Sequence, residues 1–145
     1  MFKYKLLNKP THLKLKKEIL NLIFKSISGN IGKNQNWTLN IVFVGDAQMR
    51  ELNRNYRNID SPTDVLSFHY FDDFKRLIQK EIAGEIILSE NKIISQSKEY
   101  WLTKEQETYK LIIHSILHIL GFDHETDEDY AEMNEEEEKI LKTIY

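Results

Sequence analysis

Between residues 114 and 124 the chain reads His-Ser-Ile-Leu-His-Ile-Leu-Gly-Phe-Asp-His, which spaces its imidazoles as H-x3-H-x2-G-x2-H. On a helix, His114 and His118 project from one face a turn apart and can both reach a single ion. Gly121 suits the left-handed conformation that ends helices, and a chain leaving through it can reverse and bring His124 back as a third nitrogen. Three imidazoles with a fourth position open is the arrangement of catalytic zinc. Such an ion lowers the pKa of bound water to about 7 and polarises a carbonyl or phosphoryl oxygen, which makes hydrolysis the natural chemistry. The plainer alternative is two buried core histidines and a loop histidine. Burying several unpaired imidazoles costs free energy, whereas shared coordination satisfies all three together. Zinc suits an all-nitrogen, low-coordinate site, while nickel, iron and cobalt stay open.

The residue after the first histidine narrows the reaction. Metzincin proteases share this spacing and place a glutamate there as general base. Here the position holds Ser115, a poor proton acceptor near neutral pH, so a peptidase would lack its proton-handling group.

The elements that must carry these residues follow from the pattern. Thr103, three before Gln106, makes a capping box for a helix over Lys104–Leu120 that bears His114 and His118. Thr126 with Asp127, Glu128 and Asp129 starts a last helix, whose dry side includes Tyr130, Met133, Ile140, Leu141 and Ile144 and whose wet side is the acidic run Glu135–Glu138. Upstream, Phe2–Leu7 alternates as a strand, Pro10 opens a helix over Thr11–Ser28, and Trp37–Val44 is a central strand. Asp46 is a candidate N-cap for a helix to Arg57, with Met49, Leu52 and Tyr56 on one stripe and Arg50, Arg54 and Arg57 on another. After the turn at Asp60–Pro62, Thr63–Tyr70 and Glu81–Ser89 read as strands around an excursion over Asp72–Lys80, and Ser89 caps a helix towards Tyr100.

The totals bound what these elements build. A chain of 145 residues, 41% hydrophobic and 30% charged, has the size of one domain with a real core. Without cysteine, any metal must be held by imidazole or carboxylate. The net charge of -3 argues against coating nucleic acid by bulk attraction, so any RNA contact should be local. With no leader segment and no apolar run of membrane-spanning length, the expectation is a soluble, cytoplasmic protein.

The histidine block resembles the YbeY family of bacterial endoribonucleases, whose hallmark is H-G-x-x-H-x-x-G-[YF]-D-H. Leu52-Asn53 with Tyr56-Arg57, Pro62-Thr63-Asp64-Val65-Leu66-Ser67-Phe68, and Gly84-Glu85-Ile86-Ile87 are similar to its other blocks, so the likeness spans roughly residues 40–140. Ser115 replaces the usual glycine and His69 stands where proline is common, changes that alter packing around the site and remove no ligand. The resemblance implies a single α+β domain over residues 1–145. It would be a small mixed sheet of about four strands flanked by about five helices, with a zincin-like metal helix and one zinc held by His114, His118 and His124.

The resemblance further implies that Arg57 faces the metal, where a guanidinium would hold a phosphate and offset transition-state charge. Asp123 beside His124 would either orient a histidine as acceptor or stabilise the turn. His69 reads either as a residue near the site or as a strand surface residue, the second being the favoured placement. The expected activity is zinc-dependent cleavage of single-stranded RNA in small-subunit ribosomal RNA maturation and ribosome quality control, with metal-bound water or the RNA 2′-hydroxyl as nucleophile. Arg57 and His114 would act in catalysis, with the small ribosomal subunit as partner and neither membrane nor DNA involved. The rivals are a zinc peptidase or amidase, and an RNA- or ribosome-binding assembly factor in which zinc only braces the fold.

Overall fold

The computed structural model describes residues 3–31, 38–69, 82–120 and 126–144. The elements run β1 (Lys3–Leu7), α1 (Lys17–Ile31), β2 (Thr38–Val44), α2 (Asp46–Arg57), β3 (Val65–His69), β4 (Ile82–Ser89), α3 (Glu90–Glu99), α4 (Lys104–Ile119) and α5 (Asp127–Ile144). This is an α+β fold on a mixed sheet in the order β1-β2-β4-β3. β1, β2 and β4 are parallel, and β3 returns antiparallel along the outer side of β4, with Leu66 opposite Ile87.

Period-2 alternation divides the sheet residues between its faces. Leu39, Ile41, Phe43, Ile86 and Leu88 join the main core with Leu20, Ile23 and Ile27 of α1, Ile112 and Ile116 of α4, and Met133 and Ile140 of α5. On the other face Val44, Leu66 and Ile87 pack with Met49 of α2. Such two-sided burial suits the β-branched runs of β2 and β4.

α4 is buried nearly all round, from Glu107 through Tyr109, Ile112, Ile113 and Ile116 to Ile119. Its uncovered side is a stripe of residues four apart, Lys110, His114 and His118. The capping box at its start is formed in both directions: Thr103 Oγ1 accepts from the Gln106 amide at 3.0 Å, and Gln106 Oε1 accepts from the Thr103 amide at 2.9 Å. Ser89 likewise caps α3, its Oγ accepting from the Lys92 amide at 3.2 Å.

Three expectations are corrected. α1 begins at Lys17, not just after Pro10, because the Lys14 and Lys16 amides donate to Glu105 Oε2 at 2.9 Å and the Tyr109 hydroxyl at 2.8 Å. The segment is thus stitched to α4 with Leu13 inserted at 1% exposure, and burial pushes the Tyr109 phenol above its ordinary pKa. Asp46 is the first helical residue of α2 and Gly45 its N-cap; the Asp46 carboxylate instead accepts from Ser89 Oγ at 3.1 Å. Tyr130, placed on the dry side of the last helix, is exposed. Among the described residues no helix is long and apolar enough to cross a membrane.

Candidate active site

The uncovered stripe of α4 opens into a cleft of about 350 Å³ whose lining includes His114, His118, Tyr56 and Arg57, together with residues from Thr63 to Phe68. His114, His118 and Arg57, which the sequence singles out separately, therefore face one space. His124, Asp123 and Gly121 lie outside the described residues, as does the His69 side chain. Among the described residues no group of three His, Cys, Asp or Glu side chains converges as a metal site.

Arg57 is held at the cleft by the way α2 ends. Asn58 takes the left-handed conformation at φ 58°, which asparagine tolerates, and its amide closes the helix onto Arg54 O at 3.1 Å. Asn53, buried on the same turn, donates from Nδ2 to Ser61 O at 2.9 Å and accepts from Arg57 Nη1 at 3.4 Å. One amide thus ties the helix end to the next turn and orients the guanidinium. Arg50 has a different role: its Nε and Nη2 donate to the two Asp60 oxygens at 2.8 and 3.0 Å. This hydrogen bonding to Arg50 holds the Asp60 carboxyl below its ordinary pKa and raises that of Arg50. The arginine stripe is therefore divided, with Arg50 fastening a turn and Arg57 facing the cleft.

His114 is fixed from the opposite side by α5. Glu137 Oε1 lies 2.5 Å from His114 Nδ1, and a carboxylate accepts, so Nδ1 carries the hydrogen and a neutral ring would present its lone pair at Nε2. Carboxylate–histidine contacts of this kind set the tautomer and orientation of metal-binding imidazoles. Reading Glu135–Glu138 as a wet face misses this residue. The signal was available in the spacing: Glu137 falls four after Met133 and three before Ile140, on the buried stripe of α5.

A second cavity, of about 290 Å³, meets the first at Asp64 and His114 and also takes in Gln96, Glu107, Lys110 and Glu137. Glu107 is completely buried. Its Oε1 accepts from Gln96 Nε2 at 3.1 Å, and its Oε2 forms an ion pair with Lys110 Nζ at 3.1 Å. Gln96 Nε2 also lies 3.3 Å from Asp64 Oδ2, and Lys110 Nζ sits 4.3 Å from the centre of the Tyr100 ring. Neither Glu107 nor Gln96 stood out in the sequence, since a buried glutamate on a helix has no local signature.

Comparison with known proteins places this architecture. The family model described as Endoribonuclease YbeY matches residues 5–145. A protein named Endoribonuclease YbeY from Clostridioides difficile (strain 630) is 43% identical over 115 residues, 78% of this chain and 75% of that one. Its namesake from Caldicellulosiruptor bescii is 36% identical over 149 residues, 94% of each. The solution structure of TM1509 from Thermotoga maritima superposes with a TM-score of 0.65 at 28% identity, covering 97% of this chain and 88% of that one. With a family model matching nearly from end to end, and relatives of this identity over most of their length, the chain belongs to the endoribonuclease YbeY family.

Proposed function

We propose that the protein is a zinc-dependent endoribonuclease that cuts single-stranded RNA during small-subunit ribosomal RNA maturation and ribosome quality control, as one cytoplasmic domain spanning residues 1–145. The observation that carries this reading is the single cleft lined by His114, His118 and Arg57. The donors suit zinc, because two imidazoles come from successive turns of one helix and the first is oriented by Glu137. His114, His118 and His124 would hold the ion. When bound, zinc supplies a Lewis acid for the phosphoryl oxygen and brings the pKa of a water towards about 7.

The chain's own groups do the rest. Arg57 engages the scissile phosphate through paired N–H donors and offsets charge that builds there as the phosphorus gains a fifth oxygen. Asn53 keeps the guanidinium pointed at the cleft, and Glu137 keeps the hydrogen of His114 on Nδ1. The attacking oxygen is that of a water or of the RNA 2′-hydroxyl, and the product termini distinguish the two.

The test is metal analysis beside cleavage of unstructured RNA. The protein should retain about one zinc per chain, and His114→Ala should lose both metal and cleavage; full cleavage by that variant would falsify the assignment. A peptidase finds no help at Ser115, which is completely buried and turns its hydroxyl away from the cleft chemistry. The net charge of -3 favours a second reading, an assembly factor that binds preformed ribosomal particles with zinc as a brace. Co-sedimentation with small subunits that survives loss of the metal ligands, without any cleavage, would favour it.

A further inference from the structure

Tyr56 is a residue of the cleft that the proposed chemistry leaves unused. It continues the α2 stripe of Met49 and Leu52, but where Met49 is fully buried, Tyr56 is 66% exposed. Its ring packs edge to face on Phe68, with centroids 5.0 Å apart and an angle of 63°. Both rings line the cleft that contains Arg57, His114 and His118. A large apolar ring left at the lip of a polar cleft, braced from one side, is ordered before any ligand arrives and loses little entropy on binding.

We infer that Tyr56, braced by Phe68, is a stacking platform for one unpaired nucleobase of the RNA strand being cut. The inference rests on the endoribonuclease reading and deepens it by naming how a single strand is recognised. Arg57, the next residue, offers the charge that a phosphate seeks, so base and phosphate of neighbouring nucleotides meet adjacent side chains. Every base has a π face, so such a platform tolerates sequence, yet it can receive only a base released from its helix. Selection for unpaired RNA then arises at Tyr56, independently of the metal.

The experiment uses the zinc-loaded full chain and a short labelled single-stranded RNA, with steady-state cleavage as the readout. Tyr56→Leu keeps an apolar group against Phe68 and removes the π face; Tyr56→Phe keeps the face and removes the hydroxyl. Stacking worth about 1–3 kcal/mol per base corresponds to a rise in KM of roughly 5-fold to 150-fold for the leucine variant. Its kcat should stay within about twofold, the phenylalanine variant should match the parent, and Trp101→Ala, at the 95% exposed tryptophan, should change nothing. Substrates carrying one abasic nucleotide at successive positions supply the second arm. At one position the parent should weaken to the level of Tyr56→Leu, and there the substitution should add nothing further. An unchanged KM for the leucine variant, a loss shared by the phenylalanine variant, or a penalty that persists at every abasic position overturns the platform. A parent protein that cuts no RNA overturns the endoribonuclease reading itself, whereas an active parent with a silent Tyr56→Leu overturns only the platform.

Discussion

Two cavities share His114 and Asp64 as a common wall, yet their charges are organised in opposite ways. In the second, Glu107 is matched internally by Gln96 and Lys110, and Asp64 is reached by the same Gln96. In the first, Arg57 has only the neutral Asn53 as a hydrogen-bond partner among the described residues, so its charge is oriented without being cancelled. Arg50, seven residues earlier on the same helix, shows the contrast within one element, because the two Asp60 oxygens accept from its Nε and Nη2. An ion pair satisfied inside the protein stiffens it, whereas a cation held by an amide is available to an anion from outside. On the proposed reading the cleft of Arg57 is where a phosphate would bind, and the acid-rich cavity is its scaffold.

The largest expected effect breaks this division directly. Arg57→Ala should lower kcat for RNA cleavage by about 10²- to 10³-fold, the loss typical of one electrostatic donor to a transition state, while zinc content stays at the parental level. Arg57→Lys should recover only part of it, since an ammonium lacks the planar fork. If kcat survives in Arg57→Ala, the cleft has no privileged cation and the comparison fails.

The shared wall comes next. Glu137→Gln replaces a pure acceptor by an amide that can also donate, so the tautomer of His114 is no longer imposed from α5. Zinc should be lost to a competing chelator at about 10- to 100-fold lower chelator activity, with cleavage recovering at saturating zinc. Unchanged retention would make Glu137 a mere packing partner of α4.

Legibility in the sequence followed the range of the interaction. Local signals carried the elements: the Thr103–Gln106 box, the Ser89 cap and the period-2 runs of β2 and β4 are each written within a few residues. The i, i+4 spacing likewise put His114 and His118 on one side of α4, and the resemblance drew Arg57 to them. Features set by contacts between distant segments were not legible. The late start of α1 depends on Glu105 and Tyr109 some 90 residues away, and the 0% exposed Glu107 finds its amide partner in Gln96 of α3, which also reaches Asp64 just ahead of β3. Glu137 lies between these cases: its helical phase was readable, but its partner across the α4–α5 contact was not.

The third test asks whether the scaffold cavity is only a scaffold. Glu107→Gln keeps an acceptor for Gln96 and removes the charge opposite Lys110, whose side chain is 35% exposed and can turn to water. Unfolding free energy should fall by about 1–3 kcal/mol, read as a lower denaturant midpoint at constant slope. The kcat should change far less than in Arg57→Ala. A loss of cleavage as large as that of Arg57→Ala, in a protein that is still folded, would mean that the acidic network takes part in the reaction.

The smallest effect separates the core side of α4 from its cavity side. Ser115 sits beside His114 but points into the interior, completely buried, and its hydroxyl has no hydrogen-bond partner among the described residues. An unsatisfied buried hydroxyl costs about 1–3 kcal/mol of desolvation, and serine is a slightly poorer helix former than alanine. Ser115→Ala should therefore raise stability by about 1 kcal/mol, the methyl fitting where Cβ already packs. Because the substitution leaves the stripe of Lys110, His114 and His118 untouched, zinc retention and kcat should match the parent. Thermal unfolding with and without zinc checks both halves: equal upward shifts in the two states keep the faces of α4 independent, and a shift seen only with zinc would show that the packing of Ser115 reaches the ligands.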